Sequence, residues 1–295
     1  MRSLLPTFAL LLCHTITGTA SVSMRYFVGI LEPVEIAFMR YLLGGLFILP
    51  LFFLYRSPNL TRSLCFKTIG LGVLFFALFP FLFAQAFVYT NAARGSLVLA
   101  TMPIWTMLFA KAIGHEKINL LSLTAIGLSL LGLFISLSDK LFMPTGTTVT
   151  FKGELIMLLA ALAGAVYATL ARPVLRQIPA TTMTPIAMLS GCAVLFPFTV
   201  ASGIDEHVLA LSPMQIGLVI YVGIVTGGIA FFFFNWVLTR TTATFNTMFV
   251  TLNPIVAIFL GYLFLGEVIQ INFVFGVLVV FSGLGLAVYS QQKSI

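Results

Sequence analysis

The sequence predicts an all-α integral membrane protein of ten transmembrane helices, built as two five-helix repeats of inverted topology. Three observations predict it: too little polar surface for a water-facing fold, apolar runs of about 20 residues along the whole chain, and an internal repeat whose unit holds an odd number of runs. Only 8% of the 295 residues are charged and 60% are hydrophobic, against about 25% charged in a soluble domain. The mean hydropathy of +1.12 says the same.

The roughly 20-residue runs fall near 3–23, 33–55, 66–89, 93–112, 119–138, 153–175, 181–202, 212–238, 242–264 and 269–290. Each is long enough to cross a hydrocarbon core of about 30 Å. Met1 to Ser23 imitates a signal peptide, with Arg2, an apolar stretch and Gly18-Thr19-Ala20. Its counterpart in the second half of the chain is internal, so it reads as the first helix.

Lysine and arginine orient the spans. With the N-terminus inside, Arg2, Arg56, Arg62, Lys67, Lys111, Lys117, Arg172, Arg176, Arg240 and Lys293 lie at cytoplasmic ends. Arg25, Arg94, Lys140 and Lys152 lie outside. The bias puts both termini in the cytoplasm. The net charge of +7 is dispersed between spans, so no basic stripe exists to follow a nucleic-acid backbone. Cys13, Cys65 and Cys192 have no ligand-like spacing, and the histidines are His14, His115 and His207. Neither a metal site nor a cofactor is expected.

The repeat emerges on shifting the chain against itself. At 151 residues, Ala92 meets Ala243, Pro103 meets Pro254, Glu116 meets Glu267 and Gly132 meets Gly283. Nearer the N-terminus the shift is 147, where Arg25 meets Arg172, Gly44 meets Gly191 and Pro50 meets Pro197. The units are 1–140 and 150–291. Five spans per unit invert the second against the first, which places a binding site near the midplane between the halves.

The segments EPVEIAFMRYLLGG at 32–45, AFVYTNAARGSLVLATMPIWTMLFAKAIGHEKI at 86–118 and TRTTATFNTMFVTLNPIVAIFLGYLFLGEVI at 239–269 carry a resemblance. In them the chain resembles the EamA branch of the drug/metabolite transporter superfamily, over essentially its full length. Gly266-Glu267 keeps that family's pair, while the first half reads Gly114-His115-Glu116. The resemblance implies ten helices around a central cavity in a bacterial cytoplasmic (inner) membrane. It also implies transport of amino acids, their derivatives or other small metabolites, commonly outward. Uptake of another metabolite, such as a nucleoside-like one, and a non-transporting scaffold are the competing readings. No metalloprotease or nucleophile-elbow motif is present, so an enzyme is not expected.

Polar side chains deep in a span face a cavity or another helix. The substrate-binding candidates are His14, Gln85, Trp105, Tyr167, Asn235, Trp236 and Asn253. Amides and indoles at matched depth suit a zwitterion or a ring, and equally suit interhelical hydrogen bonding. Arg40 is expected to pair with Glu35 or Glu32. Glu116 and Glu267 are expected to cap the helices that follow them. Pro80 and the pair Gly227-Gly228 fall at nearly equivalent depths in the third and eighth spans, and are the candidate hinges.

Overall fold

A computed structural model describes residues 4–27, 29–55, 57, 59–90, 92–117, 119–141, 151–265 and 270–293. The described residues are helical and hold no strand. Gly266 and Glu267 lie outside them. Helix α1 is Leu5–Phe27 and α2 is Pro33–Leu54. Helix α3 runs Arg62–Val73, Leu74–Leu78 and Phe79–Phe87, its middle piece a π-helix. Helix α4 is broken into Ala92–Leu99 and Met102–Ala112. Then come α5, Leu120–Leu141, α6, Lys152–Leu175, and α7, Ala180–Ala201. A short helix, Ile204–Leu209, crosses to α8, which runs Pro213–Tyr221, the π-helix Val222–Ile229 and Ala230–Leu238. Helix α9 is Ala243–Met248, a 3-10 turn Phe249–Thr251 and Leu252–Leu265, and α10 is Ile271–Lys293. Among the described residues nine helices are long and apolar enough to cross a membrane, and α1 adds a shorter apolar stretch, Leu5–Ala20.

Local chemistry sets the starts. Thr61 caps α3 by accepting from the Leu64 N–H at 3.3 Å, and Thr242 caps α9 from Phe245 at 3.2 Å. Ser212 and Gln215 form a reciprocal capping box at α8. Gly203 takes φ 81° ahead of the short helix, a conformation that suits glycine.

The irregular turns have identifiable causes. Pro80 has no N–H for the Phe76 carbonyl, and the π-helix Leu74–Leu78 lies just ahead of it. In α8 the wide turn instead encloses Gly227 and Gly228. Pro103 and Pro254 stand just past the break in α4 and the 3-10 turn in α9, where each lacks a donor for the carbonyl four residues back. The predicted hinge residues thus sit in or beside turns that are not α-helical. Gly228 has a second constraint: a Cβ on it would meet the Gly44 Cα at 3.1 Å, so the glycines also let α2 and α8 touch.

The main helix contacts are α1 with α8 and α9, α2 with α7 and α8, α3 with α6 and α7, α4 with α6 and α9, and α5 with α10. Exchanging α1–α5 with α6–α10 returns this same set. The α1–α9 contact becomes α6–α4, α2–α8 becomes α7–α3, and α3–α6 becomes α8–α1. The correspondence reaches single residues. A Cβ on Gly132 would strike Gly276 and Val280, and one on Gly283 would strike Ala125 and Ser129, the residues 151 positions earlier. Small residues allow this closeness where lipid removes the hydrophobic drive between helices.

Candidate functional site

The polar residues inside the bundle form two separate groups. On α1, His14 is 4% exposed, and its Nδ1 lies 3.1 Å from the Asn253 Oδ1 on α9. That oxygen also accepts the Thr17 hydroxyl at 3.0 Å. An acceptor at this place puts the ring proton on Nδ1 and leaves Nε2 as an acceptor. Nε2 is buried and has no hydrogen-bond partner among the described residues. The His14 ring meets the edge of Phe234 on α8, with centroids 6.3 Å apart.

The second group joins α6, α7 and α8. The Tyr167 hydroxyl donates to Asn235 Oδ1 at 3.0 Å, and Asn235 Nδ2 donates to the Thr184 hydroxyl at 3.0 Å. Both Tyr167 and Asn235 are fully buried, and Tyr167 stacks on Phe75 at 4.2 Å. These polar atoms bind one another across three helices, which fixes their rotamers and shields them from lipid.

The remaining predicted residues stand apart. Trp105 donates its indole N–H to the Thr101 hydroxyl at 3.1 Å and packs by Met102, Ala161 and Val250. Gln85 and Trp236 lie two residues, and Asn235 three, from the ends of α3 and α8, so the central depth expected of all three is corrected to the last helical turn. Trp236 lies under the Arg240 guanidinium at 3.8 Å, an arrangement typical of a helix end. Polar partners that went unnamed in the sequence are Thr17, Thr184 and the pair Thr19–Tyr221, whose hydroxyls are 2.7 Å apart. Thr17 is one turn from His14, and that spacing was the available signal.

Two expectations about charge are corrected. Glu35 is fully buried, and it accepts from the Ser202 hydroxyl at 2.7 Å, lies 2.9 Å from His207 Nδ1 and accepts the Glu32 N–H at 2.9 Å. Arg40 instead donates from Nη2 to the Thr226 carbonyl at 3.1 Å, and no carboxylate lies within 4.0 Å of it among the described residues. Glu35 is thus held by the segment after α7, where its bonds raise the His207 pKa above its ordinary value.

Glu116 does not cap α5, whose first turn is served by Asn119 Oδ1 accepting from the Leu121 N–H at 3.0 Å. Its carboxylate caps α9: Oε1 accepts the Ala243 N–H at 2.6 Å and Oε2 accepts the Thr244 hydroxyl at 2.7 Å. Arg172 at the end of α6 reaches Oε1 at 3.4 Å. Glu116 therefore ties the α4–α5 connection to two helices of the other half. It lines a cavity of about 420 Å³ together with Arg172, Thr242, Thr244, Phe245 and Ser290. That volume is in the range of small-molecule sites. The cavity opens at the bundle end where α5 and α9 begin and α6 and α10 finish.

Apolar helices that can span a bilayer, with polar clusters inside and a vestibule at one end, define a multi-pass membrane protein. The profile of the EamA-like transporter family matches residues 4–138 and again residues 151–289. The chain belongs to this family, and is a transporter of that type. It is similar to an uncharacterized transporter of Archaeoglobus fulgidus, 25% identical over 267 residues that cover 89% of this chain and 90% of that one. It is also similar to the uncharacterized transporter YcxC of Bacillus subtilis, 24% identical over 88% of this chain and 85% of that one. A crystal structure matches the fold with a TM-score of 0.76 at 16% identity, covering 98% of each chain.

Proposed function

We propose that this chain is a secondary transporter that moves amino acids or related small metabolites across a cytoplasmic membrane by alternating access. In this reading ten helices form two inverted five-helix halves, residues 1–140 and 150–291, with both termini in the cytoplasm. The observation that carries it is the helix-contact set that returns to itself when the halves are exchanged. An inverted pair of halves can present the same site to either side by exchanging their conformations. The π-helices in α3 and α8 support this, because they put a wide turn in the same part of two corresponding helices. Such turns often accompany function.

His14 is the predicted binding residue best placed for substrate: it is central, and its Nε2 has no partner among the described residues. Asn253 and Thr17 orient it. Tyr167 and Asn235 build the wall behind the site, Trp105 supplies an aromatic surface on α4, and Gln85 and Trp236 stand at opposite ends of the path. The vestibule around Glu116 is the cytoplasmic entrance, as the excess of lysine and arginine at that end orients the bundle.

The test is flux into proteoliposomes, with counterflow of labelled amino acids and nucleoside-like metabolites. Saturable flux of an amino acid, weakened by His14→Ala in protein that remains folded, is the expected result. Absence of substrate-dependent flux across the panel would defeat the reading. Reporter fusions at residue 295 and near residue 145 should read cytoplasm and exterior, and an exterior C-terminus would overturn the inverted arrangement.

A further inference from the structure

We propose that Arg40 anchors an anionic group of the transported molecule, a carboxylate or, by the same chemistry, a phosphate. This rests on the transport reading above and names the substrate class. Arg40 lies in the third turn of α2 and is only 9% exposed. A guanidinium stays protonated in a protein, so this is a fixed positive charge inside the bundle. A charge within a membrane is held by an opposite charge, by a cavity or by carbonyls, and marks a functional path.

The protein satisfies this one incompletely. Of its five N–H groups, one Nη2 donor meets the Thr226 carbonyl. Nε is buried and has no partner among the described residues. The rings of Tyr41 and Phe231 lie 5.3 and 5.6 Å from the guanidinium carbon, where they attract the cation without neutralising it. The acid nearest in sequence on the same helix, Glu35, is occupied by Ser202 and His207. No other acid lies within ion-pair distance among the described residues. A planar fork with unused donors matches a carboxylate or phosphate in shape as well as charge.

The neighbours on α8 extend the assignment. Arg40 bonds the Thr226 carbonyl, Cys13 Sγ donates to the Ala230 carbonyl at 3.2 Å, and His14 meets the Phe234 ring. Positions 226, 230 and 234 follow one another at one-turn steps on a single helix face. Arg40 and His14 therefore approach α8 about two turns apart, Arg40 at its π-helical part and His14 beyond it. At one end is a cation short of an anion, and at the other is the Nε2 acceptor short of a donor. A molecule with an anionic group at one end and an N–H or O–H donor further along it would satisfy both.

The experiment uses the purified full chain in detergent and follows thermal unfolding against concentration of phenylacetate, phenylacetamide and inorganic phosphate. Wild type should respond to phenylacetate or phosphate at about tenfold lower concentration than to the amide, the scale of losing one bond to a charged group. Arg40→Gln should abolish that preference, and Arg40→Lys should keep only part of it, because an ammonium carries the charge without the fork. The comparison of acid with amide on wild type needs no variant to fold. A response to phosphate alone assigns the anchor to phosphorylated substrates, and a response to phenylacetate assigns it to carboxylates. An equal response of wild type to acid and amide, including none to either, together with no response to phosphate overturns the proposal, as does a preference that survives in folded Arg40→Gln. Anion preference without amino-acid flux defeats the transport reading alone, while amino-acid flux without anion preference defeats Arg40 alone.

Discussion

Replacing Thr244 by valine removes one hydroxyl and preserves the side chain's shape, so it isolates one arm of the Glu116 junction. That hydroxyl meets Glu116 Oε2 at 2.7 Å, and a bond to a charged acceptor contributes about 1.5–3 kcal/mol. The junction lines an open cavity, where water replaces part of what is lost, so the lower end applies and Thr244→Val should cost about 1.5 kcal/mol. Glu116→Ala removes that arm together with the bond from the Ala243 N–H at 2.6 Å, so about 3 kcal/mol is expected. The Arg172 contact is longer at 3.4 Å and adds less. Because Thr244 acts through Glu116, its substitution should cost little more once Glu116 is alanine. The double-mutant cycle then gives a coupling near 1.5 kcal/mol. Equilibrium unfolding in mixed micelles, read from the fluorescence of Trp105 and Trp236, measures all four corners. A coupling below about 0.5 kcal/mol, the level of independent sites, would refute the claim that Glu116 binds the two halves together.

Two further outcomes follow from the geometry. Tyr167→Phe removes the bond to Asn235 Oδ1 and should destabilise the protein by about 0.6–1.7 kcal/mol, the range for hydrogen bonds between membrane helices; thermal unfolding that matches wild type would contradict it. The His207 pKa is raised by the Glu35 contact, so the stabilisation is fully present below the ordinary histidine value of about 6.5 and is lost as pH rises through the raised value. Proteolysis within 204–209 should therefore accelerate as pH rises through that window, and His207→Gln should flatten the profile.

The helices were legible because a bilayer demands long apolar runs, and few residues fall outside them. Pro80 and the Gly227-Gly228 pair were read as places where α3 and α8 can bend, and each lies in or beside a π-helical turn; Pro103 and Pro254 were matched only as repeat mates, and the irregular turns beside them were not anticipated. The partners of charged groups were much less legible. Glu116 immediately precedes α5, and proximity in sequence favoured a local cap; its actual partners, Ala243 and Thr244, are more than 120 residues away. Arg40 was expected to pair with Glu35 or Glu32, but Glu35 is turned to the segment after α7. Asn235 and Tyr167 show the same limit. Their polarity marked them as unusual inside a span, yet only packing shows that they bond to each other. Gly132 and Gly283 were matched only as repeat mates, because glycines along a span look ordinary until their contacts across α5 and α10 are seen.

The exchange of contacts between halves has a genetic consequence. The α1–α9 and α4–α6 contacts are counterparts, so in a chain that alternates between two states, loosening one biases the balance in one direction and loosening the other biases it back. Suppressors of a defect at Gly18, which packs against Val256 on α9, should therefore gather around Gly164, which packs against Met102 on α4, although the two lie in different halves. The α5–α10 pair instead maps onto itself, with Gly132 against Gly276 answered by Gly283 against Ala125 in the same interface, so a lesion there has no counterweight at a separate interface and should resist rescue by a second change elsewhere.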